Sequence, residues 1–274
     1  METLAKIMAF KTPILSKKAI RWSGILLIVV FYLLGFFERP ELITIDRRYQ
    51  LSSSPPHSQI ALVMIDQVSL KELAQWPWPR HYYAEVIKTL KTGGARLIAL
   101  DLDFSTPSDP REDRKLVEAV SDAGNVVLSA FHEDKILQNN IRIKSANLPF
   151  PELSSAAAGL GSILYPTDED GAMRRAYVVD EIHGGPALNI TVELARQFFN
   201  LSRDEVGWDG PHQFRLGKQH IRTGSEGTFY IRYVGGAQSF PTYPFADVLQ
   251  GRIDPAVFSN KIVLIGASAM ELKD

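Results

Sequence analysis

Two short apolar runs, each ending in an acid, most constrain how this chain can fold. The first is Ile60-Ala61-Leu62-Val63-Met64-Ile65-Asp66 and the second Leu97-Ile98-Ala99-Leu100-Asp101. Between them lies a helical repeat with Tyr83, Val86, Ile87 and Leu90 on one face, stopped by Gly93-Gly94. Strand, loop, helix, strand is a βαβ unit. Its crossing loop, Gln75-Trp76-Pro77-Trp78-Pro79-Arg80, carries two tryptophans, two prolines and an arginine. Each proline holds the residue before it extended, so both indoles sit on a stiff, non-helical segment. Pro79 suits the first turn of the helix, where its missing N–H costs nothing.

The alternation continues along the chain. Strands are expected at Ile60–Ile65, Leu97–Leu102, Asn125–Phe131, Arg175–Asp180, Phe229–Val234 and Ile262–Gly266. Helices are expected at Pro79–Lys91, Glu112–Ala123, Pro186–Phe199 and Phe245–Leu249. Strands alternating with helices give an α/β fold with a mostly parallel sheet and helices on both faces. The near-continuous apolar character of the strands implies a sheet covered on both sides. Residues 59–274 form this domain, with residues 201–228 as a polar, hairpin-rich insertion.

The start of the chain has a different character. Trp22 to Phe37 is a run of sixteen uncharged residues, about 24 Å long as a helix, against a bilayer core of about 30 Å. Counting from Ala19 or Ile20, with Arg21 reaching back to the interface, lengthens it. Five basic residues (Lys6, Lys11, Lys17, Lys18, Arg21) and one acid, Glu2, lie at or before position 21. No small-residue cleavage pattern follows the apolar run, which argues against a removed signal peptide. A buried soluble helix would not need the basic flank. The expectation is a cytoplasmic tail over 1–19, a transmembrane anchor over 20–37, a linker over 38–58 and a main domain outside the cytoplasm. The whole chain is −1 and its first 21 residues are +4, so the remainder is −5. A weakly acidic body argues against a nucleic-acid surface. Cysteine is absent, which excludes disulfides, thiolate metal sites and thiol catalysis.

In a parallel sheet, ligands bind beyond the strand C-termini, where Asp66, Asp101 and Asp103 fall. Together with Trp76, Trp78 and Arg80 they form the candidate ligand-binding crevice. The tryptophans are either core plugs beneath the loop or binding anchors. Arg80 gains nothing from the positive end of its helix, so it either pairs with one of those aspartates or meets an anionic ligand. Asp101-Leu102-Asp103-Phe104-Ser105 also resembles the nucleophile motif of haloacid-dehalogenase-type phosphatases, which makes a membrane-anchored periplasmic phosphatase the alternative function. Lys144 and Asp168/Asp170 are the only fillers for the rest of that site, and neither follows a suitable strand. Asp168-Glu169-Asp170-Gly171 lacks the closing glutamate of a calcium loop and reads as a turn with Gly171 at positive φ. No catalytic residue, metal site or cofactor is assigned.

Motifs spread over nearly all of residues 41–274 carry a resemblance to a known family. The resemblance rests on Ile45-Asp46-Arg47-Arg48, Val63-Met64-Ile65-Asp66 with Ser69-Leu70, and Trp76-Pro77-Trp78-Pro79-Arg80 with Tyr83-Ala84. It continues through Gly94-Ala95, Asp101-Leu102-Asp103-Phe104, Asp168-Glu169-Asp170-Gly171 with Arg174-Arg175, and Ile231-Arg232-Tyr233-Val234-Gly235. It closes on Lys261-Ile262-Val263-Leu264-Ile265-Gly266-Ala267-Ser268-Ala269. In this order the motifs resemble the CHASE-type extracellular sensor domain, second subtype, of bacterial membrane-bound cyclases and kinases. The resemblance implies a non-catalytic module at the inner membrane that receives a small-molecule or protein signal. It also implies further transmembrane helices and a cytoplasmic cyclase or kinase beyond Asp274. The receptor is expected to act as a homodimer.

Overall fold

The computed structural model describes residues 17–33, 38–51, 55–73, 76–136, 142–182, 184–224, 226–236 and 238–269. The basic tail before residue 17 and the last four residues of the expected anchor lie outside them. The chain divides into two compact units, Met1–Ser53 and Ser54–Asp274. In the first, α1 (Lys17–Leu33) presents Trp22, Leu26, Ile28 and Tyr32 as exposed side chains, and α2 (Glu38–Leu51) makes a helix of what the sequence suggested was linker. Among the described residues no helix is long and apolar enough to cross a membrane.

The second unit runs β1 (Ile60–Ile65), α3 (Gln67–Leu73), α4 (Arg80–Thr92), β2 (Leu97–Asp101), α5 (Pro110–Ala123), β3 (Val126–Ile136), β4 (Arg142–Asn147), α6 (Pro151–Ala156) and β5 (Gly159–Ser162). It continues with β6 (Arg175–Tyr177), β7 (Val179–Ile182), β8 (Gly185–Leu188), α7 (Ile190–Phe198), β9 (Val206–Trp208), β10 (Gln213–Leu216), β11 (Gln219–Arg222), β12 (Thr228–Tyr230), β13 (Thr242–Pro244), α8 (Phe245–Leu249) and β14 (Ile262–Ala267). The seven-stranded main sheet has the order β13-β1-β14-β2-β3-β4, with β5 also paired to β3. Every pairing in it is parallel except β3 with β4.

The two strands of the opening βαβ unit are therefore not neighbours. The C-terminal strand β14 lies between them, with Val63 opposite Ile265 and Gly266 opposite Asp101. Helices do cover both faces, but unequally. On one face Val63, Ile65, Ile98, Leu100 and Ile265 pack with Val86, Ile87 and Leu90 of α4, Leu116 and Val120 of α5, and Phe245 of α8. On the other, Leu97, Ala99 and Val127 meet Ile190 and Leu194 of α7. Full coverage holds for β2, whereas β1 and β14 alternate buried with half-buried residues. An all-apolar run did not signal complete burial there. The face carrying Ile60, Leu62 and Met64 is only half-buried.

Other boundaries moved for local reasons. The helix expected from Pro186 starts at Ile190, because Asn189 caps it by accepting the Thr191 N–H at 3.0 Å. The preceding residues form the β7–β8 hairpin, turned at Gly184 with φ +76°. The strand expected over Phe229–Val234 ends at Tyr230 and pairs with β6. Residues 201–228 contain the antiparallel sheet β11-β10-β9.

Candidate functional site

A cleft of about 700 Å³ opens at the C-terminal ends of β2 and β14. Its lining includes Trp76, Trp78, Arg80, Asp101 and Asp103, so five of the six residues singled out from sequence converge here. Asp66 does not belong to the lining. Its carboxylate accepts the Ser69 N–H at 2.8 Å and its carbonyl the Leu70 N–H, capping α3, a helix the sequence reading did not foresee. Buried Ser69 in turn donates structure to α8, its Oγ accepting the Ala246 N–H at 3.0 Å.

The two tryptophans divide the roles proposed for them. Trp78 is 4% exposed and stacks on Phe245 at 4.9 Å, with Tyr83 at 6.3 Å. Trp76 is 42% exposed and meets the Trp78 ring edge-on at 5.2 Å. The Trp76–Pro77 peptide is cis. Trp78 is thus a core plug and Trp76 a cleft wall.

Arg80 opens α4 and is drawn across to α5. Its Nη2 donates to the Thr106 carbonyl at 3.0 Å, its Nε lies 3.6 Å from Asp113 Oδ1, and its guanidinium sits 4.5 Å above the Phe104 ring. Burial pulls its pKa down, opposed by the charges of Asp113, Tyr83 and Asp103. Its ion-pair partner is thus Asp113, which sequence reading had not marked, rather than Asp66, Asp101 or Asp103. Asp113 also accepts the Ser108 N–H at 2.7 Å and the Ser108 hydroxyl at 3.0 Å.

Asp109, Glu112 and Ser108 complete the far wall. Asp109 caps α5 by accepting the N–H groups of Arg111 and Glu112, with Pro110 following it. That Asp-Pro pair is a helix-start signal, and it marks a first turn two residues earlier than the apolar periodicity did. Glu112 is held to about pH 2 by Lys115, then by the backbone and ring of His81, whose Nδ1 is 2.6 Å away.

Asp103 accepts the Ser105 N–H at 2.8 Å in a tight turn. The Asp101 carboxylate has no hydrogen-bond partner among the described residues. It is exposed where it lines the cleft, yet the surrounding protein desolvates the carboxyl enough to push its pKa up.

The phosphatase fillers are engaged elsewhere. Buried Arg174 binds Asp170 through two nitrogens at 2.9 and 2.7 Å and Asp168 at 3.0 Å, and Arg175 binds Asp168 at 3.0 Å. Gly171 turns this loop at φ +81°. Lys144 stands in the β3–β4 ladder opposite Asp134. Among the described residues no group of three His, Asp or Glu is placed to hold a metal. Ser162, His132 and Asp180 do come together, but Ser162 Oγ donates to Asp180 at 2.7 Å and not to the imidazole, so no nucleophile–base pair forms.

A second cavity of about 560 Å³, lined by Tyr165, Met173, Thr191, Phe229, Tyr230 and Tyr233 among others, was not foreseen. Its signal was the aromatic run Phe229–Tyr233, read as a buried strand although Tyr230 and Tyr233 are exposed. Its Tyr165 lies within electrostatic reach of Asp101 in the first cleft.

No curated protein and no solved structure matches the chain. The family model of the CHASE2 domain matches residues 24–274. The chain therefore belongs to the CHASE2 family of extracellular sensor domains, whose role is sensing and not catalysis.

Proposed function

We propose that this chain is the extracytoplasmic sensing part of a bacterial transmembrane receptor. The domain that follows residue 58 meets the signal outside the cytoplasm, residues 20–37 anchor it in the inner membrane with the N-terminus inside, and a cytoplasmic cyclase or kinase receives the message. The receptor works as a homodimer. The observation that carries this reading is the single family match running through both the apolar N-terminal helix and the α/β domain. The cleft at the strand ends is the recognition site, with Trp76, Arg80, Asp101 and Asp103 facing it and Trp78 supporting it. Its position obeys the rule that open α/β sheets bind ligands beyond the carboxyl ends of their strands. An enzyme reporter active only in the periplasm, fused after Asp274, should be active, and one active only in the cytoplasm should be silent. The opposite pair of results overturns the topology.

A further inference from the structure

The charge of the cleft says what kind of molecule it takes. Its lining holds four carboxylates, Asp101, Asp103, Asp109 and Glu112, against one guanidinium, Arg80. That guanidinium is already directed at Asp113, the Thr106 carbonyl and the Phe104 ring. The N-terminus of α5 would otherwise attract an anion, but Asp109, Glu112 and Asp113 occupy it. At the start of α4 the His81 N–H is taken by Glu112. An anionic ligand would therefore meet excess negative charge and no uncommitted donor charge. A bare metal ion is equally ill served, because the carboxylates are spread over separate walls and no three converge among the described residues.

Two further groups favour an organic molecule. Trp76, nearly half exposed, offers an aromatic surface to the cleft, and a cation over an indole is stabilised by the ring's quadrupole. Trp78, 4% exposed, backs that ring edge-on at 5.2 Å. Asp101 is the carboxylate without a hydrogen bond, at the end of β2 and beside Gly266.

We propose that the cleft binds a small organic ammonium compound, its charge on Asp101 and its carbon skeleton against Trp76. This rests on the sensor reading and narrows it to a ligand class.

The test is isothermal titration calorimetry on the full chain in detergent, with ethanolamine, choline and putrescine as probes, and inorganic phosphate and magnesium as rivals at matched ionic strength. At least one ammonium probe should bind saturably. Asp101→Asn should weaken it by about tenfold, as expected for one partly desolvated charge pair. Trp76→Ala should weaken it several-fold, with Trp76→Phe restoring part of the loss. Circular dichroism confirms that each variant is folded. No saturable binding of any ammonium probe at millimolar concentration overturns the proposal, as does binding that Asp101→Asn leaves unchanged. Phosphate binding that needs Arg80 would sink the ammonium class but keep the cleft as the recognition site. Failure of every probe together with a cytoplasmic topology result would remove the sensor reading as well.

Discussion

Replacing each of the two loop tryptophans by alanine separates fold from recognition. An indole buries about 200 Å² when fully enclosed, worth about 25 cal/mol per Å². With Trp78 4% exposed and Trp76 42% exposed, the transfer terms are about 5 and about 3 kcal/mol. Residual burial in the denatured chain lowers both, by roughly 10–40%. Both variants lose the same edge-to-face pair, so that contribution cancels in the comparison. Trp78→Ala also empties a site between Phe245 and Tyr83, which places it in the range of about 3–5 kcal/mol seen for truncated core aromatics. The expected gap between the variants is about 2 kcal/mol, with Trp78→Ala the less stable. Equilibrium urea unfolding of the full chain in detergent, followed by far-ultraviolet circular dichroism, measures it. Equal losses, or a greater loss at Trp76, would refute the division into core plug and cleft wall.

Arg174→Ala should cost about 3–5 kcal/mol, because it leaves buried Asp168 with Arg175 as its one ion-pair partner among the described residues; urea unfolding reads this, and a loss below about 1 kcal/mol would contradict the clamp. Acid should weaken the domain as the pH falls from about 4.5 towards about 2, since Glu112 and Asp170 are both held near 2 and the stability they lend above their ordinary values fades as they protonate; an acid titration by circular dichroism checks it. Asp101 has the opposite sign. Its raised pKa means that its ionised form opposes folding, a penalty relieved as the pH falls through its folded value, so Asp101→Asn should be at least as stable as the parent at pH 7.

The parts of the site legible in the sequence were those fixed by the local chain. Asp101 and Trp76–Arg80 could be placed because strand ends and proline stiffness are properties of a few consecutive residues. Gly171 was legible for the same reason: a short acidic turn before a strand calls for a positive φ. What escaped was pairing at a distance. Arg80 and Asp113 are 33 residues apart, and only the docking of α5 beside α4 makes them partners. Asp66 looked like a site residue because it ends a strand, yet the next four residues turn it into a helix cap. Strand order was also invisible, for nothing in the pattern of Ile262–Ala267 says that it lies between β1 and β2.

That insertion has a mechanical consequence. The chain enters the domain at the Ile60 end of β1 and leaves from the Ala267 end of β14, and these two strands are parallel neighbours. Opposite pulls applied at those points would slide one strand along the other, loading the bonds from Ile60–Ile262 to Ile65–Ala267 together and not one after another. A ladder loaded in shear yields little before it breaks. Tension reaching Ala267 would thus be delivered with almost no slack to the Asp101 wall beside it, and movement of that wall would be felt as directly by whatever is tied to the strand's end.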